Sequence, residues 1–198
     1  MENRVITISR EYGSGGRMIG RKLAEKLGIH CYDADLIQRI VDKSGYSADY
    51  VKEEGESAAG GVFSTFLADR TRGLTTQDNL WNVQCQVIAE LADKESCVIV
   101  GRCADSVLKG NPNVLRVFVV GDVEQKNKRL ARIQQISVEE ADEERKETDK
   151  YRRSYHNFYS DTKWGDSRAY DLIVNSSRLG IQGTADYIKK FAEAFKEI

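Results

Sequence analysis

The sequence predicts an α/β protein with a central five-stranded parallel sheet. Five short apolar runs alternate with segments of helical periodicity, as they do in successive βαβ units. The first run passes through a glycine-rich turn straight into a helical pattern. A length of 198 residues with 40% hydrophobic content suits one substantial core with room for an inserted segment.

The strands are expected at residues 5–8, 30–32, 97–100, 114–120 and 172–174, each bounded by turn or helix-start residues. After the first strand, Ile19, Leu23, Ala24 and Leu27 form one helical face, and Gly28 is placed to end that helix in a left-handed cap. Asp33 is the expected N-cap of the next helix, whose apolar face holds Leu36, Ile37, Ile40 and Val41. Residues 46–75 are irregular, with Gly55, Gly60, Gly61 and Gly73 interrupting any long element, which suggests a segment that covers a substrate. A long helix is expected over 76–93, with Trp81, Cys85, Ile88 and Leu91 at helical spacing. Ile188, Phe191, Ala192 and Phe195 make the core face of a C-terminal helix.

The segment between the first strand and its helix reads Arg10-Glu11-Tyr12-Gly13-Ser14-Gly15-Gly16-Arg17. A strand, a glycine turn and a helix N-terminus gather backbone N–H groups around one point, and the helix dipole makes that point attractive to anions. Gly13, Ser14, Gly15, Gly16 and Arg17 are therefore the candidate phosphate-binding residues. In the usual pattern G-x-x-x-x-G-K-[ST], the lysine reaches the β/γ phosphates and the hydroxyl holds a magnesium ion. Here Arg10 stands at the first glycine, Gly15 at the second, Gly16 at the lysine and Arg17 at the Ser/Thr. The same glycines would also suit a flexible βα turn that binds nothing.

Charged residues make up 31% of the chain, but the net charge is −1, so any anion site is local, and a nucleic-acid-binding role is not expected. Cys31, Cys85, Cys97 and Cys103 lack zinc-site spacing and a disulfide framework, which fits reduced thiols in a cytoplasmic protein. No apolar run approaches the ~18 residues of a membrane span, and none is placed as a secretory leader.

Residues 122–167 are the most charged part of the chain. Asp122 is placed to start a helix bearing Lys126, Lys128, Arg129 and Arg132. Ser137-Val138-Glu139-Glu140 has the pattern of a capping box that opens a second helix, carrying Arg145, Lys146, Lys150, Arg152 and Arg153. Charge pattern alone fits a solvated helix pair, and Tyr151, Tyr155, Phe158 and Tyr159 read as packing residues.

Taken with the loop, the run Ile8 to Arg17 followed by Ile19-Gly20-Arg21-Lys22-Leu23-Ala24 resembles the signature of the cytidylate kinase-like family of P-loop nucleoside monophosphate kinases. The resemblance covers nearly the full length. It implies one domain over 1–198 with the three-layer P-loop kinase fold, a helical NMP-binding insert at about 46–75 and a helical lid at about 122–167. It further implies ATP as phosphoryl donor, Mg²⁺, and a nucleoside monophosphate such as CMP as acceptor.

By position, Arg39 and Arg102 resemble arginines that bind the acceptor phosphate, with Asp35 beside them, while Arg145 and Arg153 resemble lid arginines over the transferring group. Arg129 is a further lid candidate, and Arg17 is the candidate catalytic cation in place of the lysine, with Arg10 and Arg21 as possible substitutes. No metal ligand is assigned; Asp33, Asp35 or Ser14 would have to act directly or through water. The missing lysine and hydroxyl leave two rivals: a nucleotide-binding module that transfers nothing, and a kinase of a non-nucleotide small molecule.

Overall fold

The computed structural model describes residues 4–53 and 76–194. In chain order the elements are β1 (Val5–Arg10), α1 (Gly16–Leu27), β2 (His30–Tyr32), α2 (Ala34–Ser44), α3 (Ala48–Glu53), α4 (Thr76–Lys94) and β3 (Cys97–Val100). They continue with α5 (Ala104–Val107), β4 (Val114–Val120), α6 (Val123–Gln134), α7 (Val138–Tyr159), β5 (Leu172–Asn175) and α8 (Ser176–Ala194). Strand order is β2-β3-β1-β4-β5, and every pairing is parallel, with Ile8 opposite Val100 on one side and Val117 on the other.

Alternation along the strands builds the layers. Val5, Cys97, Ile99 and Val114 join Leu36, Ile40, Val51, Leu80, Ile88 and Leu91 in one core beneath α2, α3 and α4. Their neighbours Ile6, Val98, Val100 and Leu115 join Ile19, Leu23, Ala185 and Ile188 in the other, beneath α1 and α8. The strands are apolar on both faces because helices cover both, and the result is the three-layer α/β architecture expected from the sequence.

Gly28 caps α1 in the left-handed region (φ 66°), and the capping box at Ser137 and Glu140 is present. Asp33 differs from expectation: it occupies the N-cap position of α2 but makes no side-chain cap bond, because its carboxylate is held by Arg17 and Arg21. The buried face of α4 is Leu80, Gln84, Val87, Ile88 and Leu91, which leaves Trp81 and Cys85 half-buried at its edge. Trp81 instead stacks on Tyr159 with ring centroids 4.1 Å apart and meets Tyr155 edge-on, so the α7 aromatics are packing residues that bind α7 to α4. Gly55, Gly60, Gly61, Gly73 and Phe195 lie outside the described residues.

Candidate active site

The site lies where ligands bind open parallel sheets, outside the carboxyl ends of the strands. Residues following β1, β2 and β3 meet α3 and α7 around a cavity of about 600 Å³. Five arginines border it, Arg10, Arg17, Arg21, Arg102 and Arg152, together with Lys52 and the carboxylates of Asp33, Glu144 and Glu147. Such a surfeit of guanidinium groups around one hollow suits phosphate oxygens, which accept their paired N–H donors.

The glycine loop is held from outside by its carbonyls. Ser14 donates its hydroxyl to Glu11 O at 2.7 Å, Arg129 Nη1 donates to Gly13 O at 2.6 Å, and Ser176 Oγ donates to Ser14 O at 2.6 Å. Gly13 and Gly15 take φ values of 79° and 82°, which the glycines of this turn supply without steric cost. The first intrahelical bond of α1 runs from Ile19 N–H to Gly15 O at 2.9 Å, so the N–H groups of Gly15, Gly16, Arg17 and Met18 have no intrahelical acceptor. This is the anion-binding end of a helix.

Glu11 and Tyr12 brace the loop further. Glu11 accepts from Lys126 Nζ at 2.7 Å and from Gly121 N–H at 3.1 Å, with the Lys126 side chain almost wholly buried. Tyr12 N–H donates to Asp149 Oδ1 at 2.7 Å, and Tyr12 Oη donates to Glu144 at 2.8 Å. Burial, with the Glu144 carboxylate adding to it, pushes the Tyr12 phenol up to about 12. Burial likewise raises the Asp149 carboxyl above its ordinary value, more than the Tyr12 N–H bond and the nearby Arg152 and Lys126 lower it.

Arg102 sits in an unusual turn. Gly101, Arg102 and Cys103 are three successive left-handed residues, with φ of 75°, 58° and 53°. Each non-glycine there costs roughly 1–2 kcal/mol, a strain that clusters at functional sites. Gln84 Nε2 holds the turn by donating to Arg102 O at 3.0 Å, and Arg102 Nη1 reaches across to donate to Val51 O on α3 at 2.9 Å.

The expected site residues separate into two groups. Arg17 and Arg102 border the cavity, with Arg17 paired to Asp33, while Gly13, Ser14, Gly15 and Gly16 form the adjoining loop without lining the cavity, the Ser14 hydroxyl turned inward. Arg39, Asp35, Arg145 and Arg153 do not reach the cavity. Arg39 lies over the Tyr32 ring at 5.4 Å and borders a separate hollow with Asp42 and Glu90, and Asp35 faces His30 at 3.2 Å. Arg145 binds Asn127 and Asp142, joining α6 to α7, and Arg153 lies over Trp164.

The α7 arginine that does face the loop is Arg152, whose Nη1 donates to Arg10 O at 3.1 Å and whose guanidinium covers the Tyr12 ring at 5.3 Å. Glu144, Thr148, Arg152 and His156 recur every four residues along one face of α7, and Arg153 is turned about 100° from Arg152; Arg145 shares the face of Arg152 but lies two turns nearer the start of the helix, where Asn127 and Asp142 take it up. His156 continues that face into the core, where its Nε2 lies 2.9 Å from Asp105 Oδ2. Ser9 Oγ donates to the other Asp105 oxygen at 3.2 Å. This buried tie joins β1, α5 and α7.

A magnesium ion finds little here. Among the described residues no group of three His, Cys, Asp or Glu side chains could hold a metal, Arg17 replaces the hydroxyl ligand, and Asp33 is engaged by two arginines. The described side chains do not form a first coordination shell for it. None of the four cysteines is in a disulfide, and burial raises the Cys31, Cys85 and Cys97 thiols, which makes them poor nucleophiles. Among the described residues no helix is long and apolar enough to cross a membrane.

Comparison with known proteins agrees with this geometry. The chain is 28% identical over 196 residues to a cytidylate kinase of Archaeoglobus fulgidus, covering 96% of each chain. It resembles the crystal structure of an uncharacterized protein from Eubacterium ventriosum, with a TM-score of 0.75 and 30% identity over 97% of this chain and 99% of that one. It shares its fold with a shikimate kinase from Acinetobacter baumannii solved with shikimate, at a TM-score of 0.55 and 17% identity over 98% and 95% of the two chains. A model of the cytidylate kinase-like family matches residues 5–178, most of the chain, and the protein therefore belongs to the cytidylate kinase-like family.

Proposed function

We propose that the protein transfers the γ-phosphoryl group of ATP to a nucleoside monophosphate of the CMP type. The observation that carries the reading is the convergence of five arginines on one cavity that opens beside the N-terminus of α1. The name cytidylate kinase carried by its relatives supports CMP as the acceptor, and the family resemblance supports ATP as the donor.

In this reading the N–H groups that open α1 receive the donor phosphates, and Arg102 orients the acceptor phosphate from the end of β3. Arg152 takes the place that the family resemblance gave to Arg145 and Arg153, beside the charge that spreads over the transferring group. Residues 46–75 form the acceptor-binding insert of a single domain, and the α6–α7 hairpin is the lid. Arg17 and Arg21, fixed by Asp33, form the rim. A magnesium ion arriving with ATP would take its ligands from phosphate oxygens and water, as Mg²⁺ commonly does.

A second reading is favoured by one feature of the loop. With the Ser14 hydroxyl turned inward and no metal-binding cluster among the described residues, the pocket suits a module that binds nucleotide without transfer.

Phosphorus NMR of the folded protein with ATP and Mg²⁺, against CMP, dCMP, UMP, AMP and GMP and an ATP-only control, separates the two. A new diphosphate confined to one or two pyrimidine acceptors is expected. No product from any of them would leave a binding module or a non-nucleotide acceptor.

A further inference from the structure

Alternation along β1 places Ile6, Ile8 and Arg10 on the same side of the sheet, the side covered by α1. Ile6 and Ile8 enter the core there. Arg10, the last residue of the strand, comes level with the first residue of α1. A Cβ built on Gly16 would stand 2.6 Å from Arg10 Cβ and 2.8 Å from Arg10 Cγ, distances that real side chains do not reach. The stem of Arg10 thus occupies the space that a side chain at position 16 would need.

In the usual phosphate-binding pattern the residue at position 10 is glycine and the residue at position 16 is lysine. This chain has the two exchanged, glycine for cation and cation for glycine, at positions that touch. We infer that Arg10 supplies from the end of β1 the cation that the usual loop supplies from the start of its helix, and that it binds the phosphate oxygens of the phosphoryl donor. This rests on the kinase reading above.

Its placement suits the task. Arg10 is 8% exposed and borders the cavity, and the close approach of its Cβ and Cγ to Gly16 packs its stem against the start of α1. Its carbonyl accepts from Arg152, which couples the strand end to the lid helix. Arg17, the cation expected from sequence, stands 60% exposed on the rim beside Asp33, and Arg21 does the same. Lys126 lies behind the loop against Glu11. A guanidinium offers two parallel N–H donors to a phosphate, so the exchange changes the geometry of the contact while retaining its charge.

Three variants test the exchange, with tripolyphosphate and ATP as probes in calorimetric titration and thermal melting as the check on folding. Arg10→Met keeps an unbranched stem over Gly16 and removes the charge. It is expected to weaken tripolyphosphate binding about tenfold to a hundredfold, the range for one charge-assisted contact. Arg10→Gly combined with Gly16→Lys restores the first glycine and the lysine of the usual loop and is expected to bind at least about tenfold more tightly than Arg10→Gly alone. Wild-type affinity in Arg10→Met, or a folded double variant no better than Arg10→Gly, overturns the inference while leaving the kinase reading intact. Wild-type protein that binds tripolyphosphate but transfers nothing, with Arg10→Met binding weakened, keeps the inference as a binding role and removes the kinase reading. Wild-type protein that binds neither probe removes both.

Discussion

Replacing Arg102 by alanine and by glycine separates its chemical role from the strain it bears. Both substitutions remove the guanidinium from the cavity and the bond to Val51 O. Only glycine relieves the left-handed backbone at φ 58°. That relief amounts to about 1–2 kcal/mol, offset by about 0.4–1 kcal/mol for the greater freedom of glycine in the unfolded chain. Arg102→Gly should therefore be more stable than Arg102→Ala by about 1 kcal/mol, or about 2–4 °C in Tm for a chain of this length. Loss of one charge-assisted phosphate contact is worth about 1.5–3 kcal/mol, so both variants should lose about tenfold to a hundredfold in kcat/KM for the acceptor. Scanning calorimetry reads the first difference, and a coupled assay of ADP release reads the second. Equal stability of the two variants would mean that the turn bears no strain at residue 102. Unchanged kcat/KM in both would remove Arg102 from the site.

Two further outcomes concern the braces behind the loop. Lys126→Met leaves Glu11 without its buried cation; because Glu11 keeps some solvent access and the Gly121 N–H, the expected loss is about 2–3 kcal/mol in urea denaturation, below that of a fully buried pair. No loss would show that the pair contributes nothing net. Asp149 has a folded pKa raised above its unfolded value by burial, so its contribution to stability is complete below the ordinary carboxylate range and is lost as pH rises through the folded pKa. Asp149→Asn keeps an acceptor for Tyr12 N–H and removes the titration. It should be more stable than wild type at neutral pH, with the gap closing in acid. A variant less stable at neutral pH would mean that the charge-assisted bond from Tyr12 N–H and attraction to Arg152 and Lys126 together outweigh burial.

Much of the site's frame was legible before the structure. The glycine loop, Gly101-Arg102 and the carboxyl ends of the first three strands are read from local patterns, because strand alternation and helix starts are set by neighbouring residues. The α7 arginines show where that reading stopped. Arg145 and Arg152 are alike in charge and share a face of α7 two turns apart, while Arg153 is turned away from both, and only the packing of α7 shows which turn of the helix meets the loop. Asp33 failed as a cap for a related reason: two arginines one helical turn apart on α1 reach it first. His156 is isolated in sequence but joins Asp105, 51 residues away, and no local pattern carries that pairing.

The sequence by itself determined the parallel sheet, its two covering layers and the glycine turn at the end of β1, since each follows from periodicity and short-range turn chemistry. Only the tertiary structure decided which cations face the cavity, because that depends on crossing strands, helix phase and close approach between distant residues. The place of Arg10 over Gly16 joins both sources. Strand alternation assigns its side of the sheet, and the contact that leaves no room for a side chain at position 16 exists only once α1 has packed back onto β1.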